Sequence, residues 1–101
     1  MELRCREKGR SLKITLTGEL DHHGAKEAMR EIEQEIDSAL PLKLTLDFDG
    51  VSFMDSSGIA LVLRTQRKMF AVGGSTIVCN IPLQAQKVFD AAGISRLVTM
   101  I

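Results

Sequence analysis

The spacing of apolar residues switches back and forth between two periods along this chain, and that switching restricts the folds open to it. Leu12, Ile14 and Leu16 alternate with Lys13, Thr15 and Thr17, and Leu42, Leu44, Leu46 and Phe48 alternate with Lys43, Thr45 and Asp47. A period of two marks half-buried strands. Leu3 and Cys5 alternate with Arg4 and Arg6 ahead of a Lys8-Gly9 turn, so the first two strands pair as a hairpin. From Gly24 to Leu40 the spacing becomes helical, with Ala25, Ala28, Met29, Ile32, Ile36, Ala39 and Leu40 on one stripe and Pro41 as the stop. A second helical pattern begins near Ser57 and runs to Val72, turning Ile59, Val62, Leu63, Met69 and Phe70 inward before Gly73-Gly74. Ser75 to Cys79 reads as a fourth strand. Pro82 opens a third helix with Ala85, Val88, Phe89 and Ala92 inward and Gly93 closing it, and Leu97 to Ile101 reads as a terminal strand.

The resulting order, ββαβαβα(β), predicts a single α/β domain over residues 1–101 with a mixed sheet of four to five strands. Strands covered on both faces read as continuous apolar runs. These alternate cleanly, so the helices are expected on one face, with a wetter face opposite.

Composition narrows the function classes. Thirteen Lys+Arg balance thirteen Asp+Glu, which argues against a generic polyanion or nucleic-acid binder. Trp and Tyr are absent, and the four Phe residues are not interleaved with basic ones as in a single-strand platform. The longest uninterrupted apolar run, Ile59 to Leu63, falls far short of the ~20 residues that a membrane span needs. Met1-Glu2-Leu3-Arg4 begins strand pattern at once and leaves no room for a signal peptide, so a soluble, cytoplasmic domain is expected. Cys5 and Cys79 are expected as two small buried thiols in a reducing compartment.

No GxxxxGK[ST] loop and no GxSxG elbow occurs, so enzyme readings find no support. His22 and His23 diverge by about 100° on a helix, and His23 with Glu27 supplies only two groups, so no metal site or cofactor is expected. The first helix is acidic (Glu27, Glu31, Glu33, Glu35, Asp37) and the second ends basic (Arg64, Arg67, Lys68), which reads as solvated faces that partly compensate each other, with a partner-docking face as the alternative. Two segments stand out. Gly18-Glu19-Leu20-Asp21-His22-His23 and Phe53-Met54-Asp55-Ser56-Ser57-Gly58 both join a strand to a helix, at the carboxyl ends of strands where ligands and partners meet. Asp21 and the Asp55-Ser56-Ser57 group also suit helix caps. An exposed hydroxyl at a helix start equally suits a phosphoryl group, which free N–H groups there would steady.

At these residues the chain resembles the anti-sigma factor antagonists, a bacterial family built on the STAS domain. The specific segments are Gly18 to His23, Leu46 to Gly58 and Phe89-Asp90-Ala91-Ala92-Gly93. The Glu19-Leu20-Asp21-His22-His23 run looks most like the sporulation-type anti-sigma F factor antagonists. The resemblance implies a non-enzymatic partner switch. Its phosphorylated hydroxyl would be Ser56, directly after the motif aspartate, with Asp21 engaging the partner. The partner-binding set becomes Asp21, His22, Asp55, Ser56, Ser57 and Gly58, with Ser57 as the helix cap or a neighbour.

The implied partners are an anti-sigma factor of GHKL serine-kinase type and a PP2C-type phosphatase, with no direct nucleic acid and no membrane. The dephosphorylated form would bind the anti-sigma factor and release the sigma factor. Two departures from the family stand out: Ala60 sits where relatives often carry Gly, and the chain ends soon after Gly93-Ile94-Ser95-Arg96-Leu97, where many continue into another helix. The alternatives are a STAS subunit of a transport ATPase complex or stress-sensing scaffold, and a small nucleotide-binding or hydrolytic enzyme.

Overall fold

Five strands lie side by side in chain order in a computed structural model that describes residues 1–101. The hairpin strands are β1 (Glu2–Lys8) and β2 (Ser11–Leu20), paired antiparallel. Helix α1 (His22–Ala39) crosses to β3 (Lys43–Met54), and α2 (Ser56–Ala71) crosses to β4 (Ser75–Cys79). Helix α3 (Leu83–Ala91) and a short 3-10 turn (Ile94–Arg96) lead to β5 (Thr99–Met100). β2, β3, β4 and β5 run parallel. The terminal strand is real but only two residues long.

Alternate residues of β2, up to the first irregularity in its pairing with β3, and of the first half of β3 are sealed. Leu12, Ile14, Leu16, Leu44, Leu46 and Phe48 have 1% exposure or less. They meet Ala28, Ile32 and Ile36 of α1, Leu61, Val62 and Met69 of α2, and Ala85 and Phe89 of α3 in one core cluster. The rings of Phe48 and Phe89 lie 5.8 Å apart, which fastens α3 over β3. The opposite face carries Arg4, Arg6, Lys13 and Lys43, all exposed.

Past Asp47 the alternation breaks, because β3 is longer than its neighbour. Thr15 faces Asp47 but Thr17 faces Gly50, and Gly18 faces Val51 but Glu19 faces Phe53. Each step inserts one extra β3 residue, a bulge, and each bulge exchanges the inward and outward sides. Phe48, Val51 and Met54 are therefore the buried residues of this half. The strand pattern read from Leu42 to Phe48 continues as strand to Met54, which carries β3 up to the start of α2. The first bulge is held by Asp47, whose Oδ1 accepts the Asp49 amide at 2.9 Å and Asn80 Nδ2 at 3.0 Å. Its Oδ2 lies 3.4 Å from Lys13 Nζ.

Several inward assignments are corrected. Leu40 is exposed, since the chain leaves α1 there in a left-handed conformation (φ 49°) ahead of Pro41, with its carbonyl accepting two hydrogen bonds from Arg10. Leu42 lies outside β3 and is also exposed. In α2 the sealed row is Leu61, Thr65 and Met69, at steps of four. Phe70 lies about 100° beyond that row and is 82% exposed. Thr65 takes a core place and its Oγ1 lies 3.8 Å from Met29 Sδ. Ala92 follows the end of α3 and is exposed. Pro82 is the residue before α3 rather than in its first turn.

Cys5 is exposed on the edge strand, and Cys79 is partly covered; both are free thiols. Partial covering of the sulfur and the nearby Glu35, Glu31 and Glu7 carboxylates push the Cys5 thiol up, which favours its protonated, less reactive form. The acidic helix and basic helix do compensate each other, through Glu33–Arg64 at 3.0 Å and Asp37–Lys68 at 2.9 Å.

Candidate functional site

Leu20 and Met54 are register partners at the carboxyl ends of β2 and β3, and both are fully buried. The next residue in each strand is an aspartate, so Asp21 and Asp55 start their turns side by side. Asp21 is extended (φ −90°, ψ −170°) and its Oδ1 accepts the Gly24 amide at 2.8 Å. Asp55 is extended too (φ −113°, ψ −166°), and its Oδ1 accepts the Ser57 amide at 2.8 Å. Both carboxylates satisfy helix N–H groups that would otherwise lack a partner. The Asp55 amide in turn donates to the Leu20 carbonyl at 3.4 Å, linking the two turns.

Ser56, as the first residue of α2, is exposed. Ser57 is half-buried and its backbone, not its hydroxyl, takes part in the cap, so the cap is Asp55 rather than Ser57. The two serines border different grooves. Ser57 lines one of about 240 Å³ between α1 and α2, with His22, Lys26, Met29 and Arg64. Ser56 lines one of about 500 Å³ between α2 and α3, with Ile59, Gln84, Lys87 and Val88. His22 is exposed at the first position of α1.

Gly58 corrects an expectation. It is buried, and a Cβ built there would lie 2.4 Å from Met54 Cγ and 3.0 Å from Leu20 Cδ2. It lets α2 approach the strand ends and offers a partner no surface. Gly24 has the same purpose in α1, where a Cβ would stand 2.1 Å from the Glu19 carbonyl oxygen. This end of the sheet therefore presents Asp21, His22, Asp55, Ser56 and Ser57. Sequence reasoning missed Gln84, which lies far along the chain and reaches back to Met54 with two hydrogen bonds. A lone glutamine in a helix pattern carries no signal of that.

No group of three or more His, Cys, Asp or Glu is placed to hold a metal ion. His23 and Glu27 make a lone exposed pair at 3.3 Å. No helix is long and apolar enough to cross a membrane.

The order of strands and helices, with two aspartate-capped turns at one end of the sheet, is that of a STAS domain, and the family model of that domain matches residues 2–101. The chain is 40% identical over 81 residues to an anti-sigma F factor antagonist of Lysinibacillus sphaericus, a match covering 80% of this chain and 69% of that protein. A second relative with the same description, from Paenibacillus polymyxa, is 26% identical over 84 residues, or 83% of this chain and 72% of that protein. Among solved structures, the unphosphorylated anti-sigma factor antagonist SpoIIAA superposes with a TM-score of 0.82 at 33% identity, covering 99% of this chain and 88% of that one. The phosphorylated form of the Bacillus cell fate determinant SpoIIAA superposes with a TM-score of 0.73, also at 33% identity, covering 99% and 91%. The chain belongs to the STAS-domain family of anti-sigma factor antagonists, whose role is regulatory.

Proposed function

We propose that this chain is a phosphorylation-controlled partner switch. Without phosphate it binds an anti-sigma factor that is also a serine kinase of the GHKL type, and the bound sigma factor is released. The kinase then transfers a phosphoryl group to Ser56. The Ser56 Oγ attacks the γ-phosphorus of ATP, a new O–P bond forms, ADP leaves, and the hydroxyl proton passes to a base on the kinase. A PP2C-type phosphatase resets the switch by hydrolysis, with water supplying the oxygen that departs as inorganic phosphate.

The observation that carries this reading is the exposure of Ser56 at the start of α2, at the same end of the sheet as Asp21. The likeness to a protein known in unphosphorylated and phosphorylated forms supports it. Phosphate adds about −1.5 to −2 charges at one point of the docking end. Burying that charge against a partner's acidic groups or nucleotide phosphates costs several kcal/mol without any need to refold the domain.

The test mixes the chain with an anti-sigma F factor, ATP and magnesium, and maps the modification by mass spectrometry. A single phosphoryl group on Ser56, with loss of the complex, is the expected result. Modification at Ser57 overturns the residue assignment, and no modification together with no complex overturns the switch.

A further inference from the structure

β3 outruns its neighbour. Its last residue paired to β4 is Asp47, opposite Cys79, yet the strand continues to Met54. On that side residues 48–54 have no strand beside them, and covered backbone groups must find other partners. At Met54 the partner is a side chain from α3. The Met54 amide donates to Gln84 Oε1 at 2.8 Å, and Gln84 Nε2 donates to the Met54 carbonyl at 2.8 Å. One carboxamide thus replaces a neighbouring strand at the last β3 residue before Asp55 and Ser56.

The Met54 side chain is fully buried and packs where Gly58 lets α2 come close. α3 itself is anchored over β3 by Phe89 against Phe48. Gln84 therefore ties a fixed helix to the backbone two residues ahead of Ser56, and it lines the same groove as Ser56.

We propose that Gln84 is the positioning residue for Ser56, a clamp on Met54 that holds the hydroxyl in the one place where a kinase can use it. The proposal rests on the reading of Ser56 as the phosphorylated residue. Gln84 touches no reacting atom and acts through the backbone. Misplacing a reacting group by a fraction of the bond-forming distance slows transfer without weakening docking by the same factor.

Gln84→Leu removes both hydrogen bonds while keeping bulk at the position, and Gln84→Glu keeps only an oxygen able to accept the Met54 amide. Amide hydrogen exchange by NMR reads the clamp directly. Phosphorylation by the anti-sigma F factor on which the Lysinibacillus sphaericus relative acts reads kcat and KM separately. In Gln84→Leu, protection of the Met54 amide should fall at least tenfold while Leu44 and Val78 keep theirs. Its kcat for Ser56 should fall on the order of tenfold with KM within a factor of about two. Gln84→Glu should lie between the two, and it carries the test if the leucine variant does not fold.

Unchanged Met54 exchange, or lost protection with unchanged kcat, overturns the proposal. A wild-type chain left unmodified at Ser56 sinks the phosphorylation reading itself. The exchange data distinguish that case, because they then assign Gln84 a clamp on β3 alone.

Discussion

Asp21 and Asp55 each stand one residue beyond a register pair, Leu20 and Met54, and each accepts a helix amide at 2.8 Å. Both thus hold a structural place as caps and both lie at the end of the sheet assigned to the partner. Substitution separates the two roles. Asp21→Ala and Asp55→Ala should each cost about 1 kcal/mol in urea unfolding, since a helix amide loses its acceptor. Asp21→Asn keeps an accepting oxygen, and its stability should stay within ~0.5 kcal/mol of wild type. If Asp21 contacts the anti-sigma factor, calorimetric titration of Asp21→Asn shows weakened binding at nearly unchanged stability. Full affinity in that variant would confine Asp21 to capping.

Two glycines set how closely α1 and α2 approach the strand ends, and they differ in what blocks a side chain. At Gly24 the obstacle is the Glu19 backbone carbonyl, 2.1 Å from a built Cβ. At Gly58 it is the Met54 side chain at 2.4 Å, with rotatable bonds of its own. Gly24→Ala should therefore lower the melting temperature more than Gly58→Ala. Overpacking of the Gly58 kind costs about 1–3 kcal/mol. Equal shifts in thermal unfolding would mean that the backbone at Glu19 yields as readily as a methionine.

Much of the architecture was readable because two periodicities occupy separate stretches. Leu12 to Leu16 and Leu44 to Phe48 could only be strands with one dry face, and Ala25 to Ile36 could only be a helix. The two aspartates were visible as caps because each precedes a helical pattern. Beyond Phe48 the pattern failed for a physical reason: two bulges reverse the inward side twice, so Val51 breaks the parity of Leu46 and Met54 returns to it. Asp47 looked like an outward polar residue, yet it is 6% exposed because it serves the bulge. The Gln84–Met54 bonds join residues 30 positions apart, and no local spacing encodes them.

Phe70 and Met69 turn one such error into a measurement. Neighbours in sequence, they differ from fully exposed to fully buried in effect, at 82% and 0%. Met69→Ala should cost about 2–5 kcal/mol, the usual range for emptying a core site. Phe70→Ala should stay within about 0.5 kcal/mol, as for a surface residue. Urea denaturation of both variants checks this, and a large loss for Phe70→Ala would mean that its ring is covered.

Ser56 is exposed and its hydroxyl makes no hydrogen bond that the fold depends on, so changing it should affect partners and not stability. Ser56→Ala should unfold within about 0.5 kcal/mol of wild type and bind the anti-sigma factor without being switched off. Ser56→Asp should weaken binding less than phosphate does, because one carboxylate carries about half the charge. Phosphate itself should raise the binding free energy by about 4.1 kcal/mol, which is about a thousandfold in affinity. Circular dichroism before and after phosphorylation should be superimposable. A large loss of secondary structure alongside lost binding would replace an electrostatic block with a refolding one.

Asp47 should contribute to the acid limit of the fold. Burial alone would raise its carboxyl, but the Asn80 side chain, the Asp49 amide and Lys13 outweigh burial and hold it below the ordinary carboxylate value. The unfolded chain therefore takes up the proton first as pH falls. The stabilisation is complete above the unfolded value, near 4, and is lost as pH drops through it toward the lower folded value. Asp47→Asn still offers an oxygen to Asn80 and Asp49 but loses the charge facing Lys13. It should be less stable at neutral pH by about 1 kcal/mol. Its loss of stability below pH ~4 should be shallower than that of wild type. Urea midpoints measured from pH 7 down to pH 3 on both proteins decide the matter. Parallel curves would assign the acid limit to carboxylates other than Asp47.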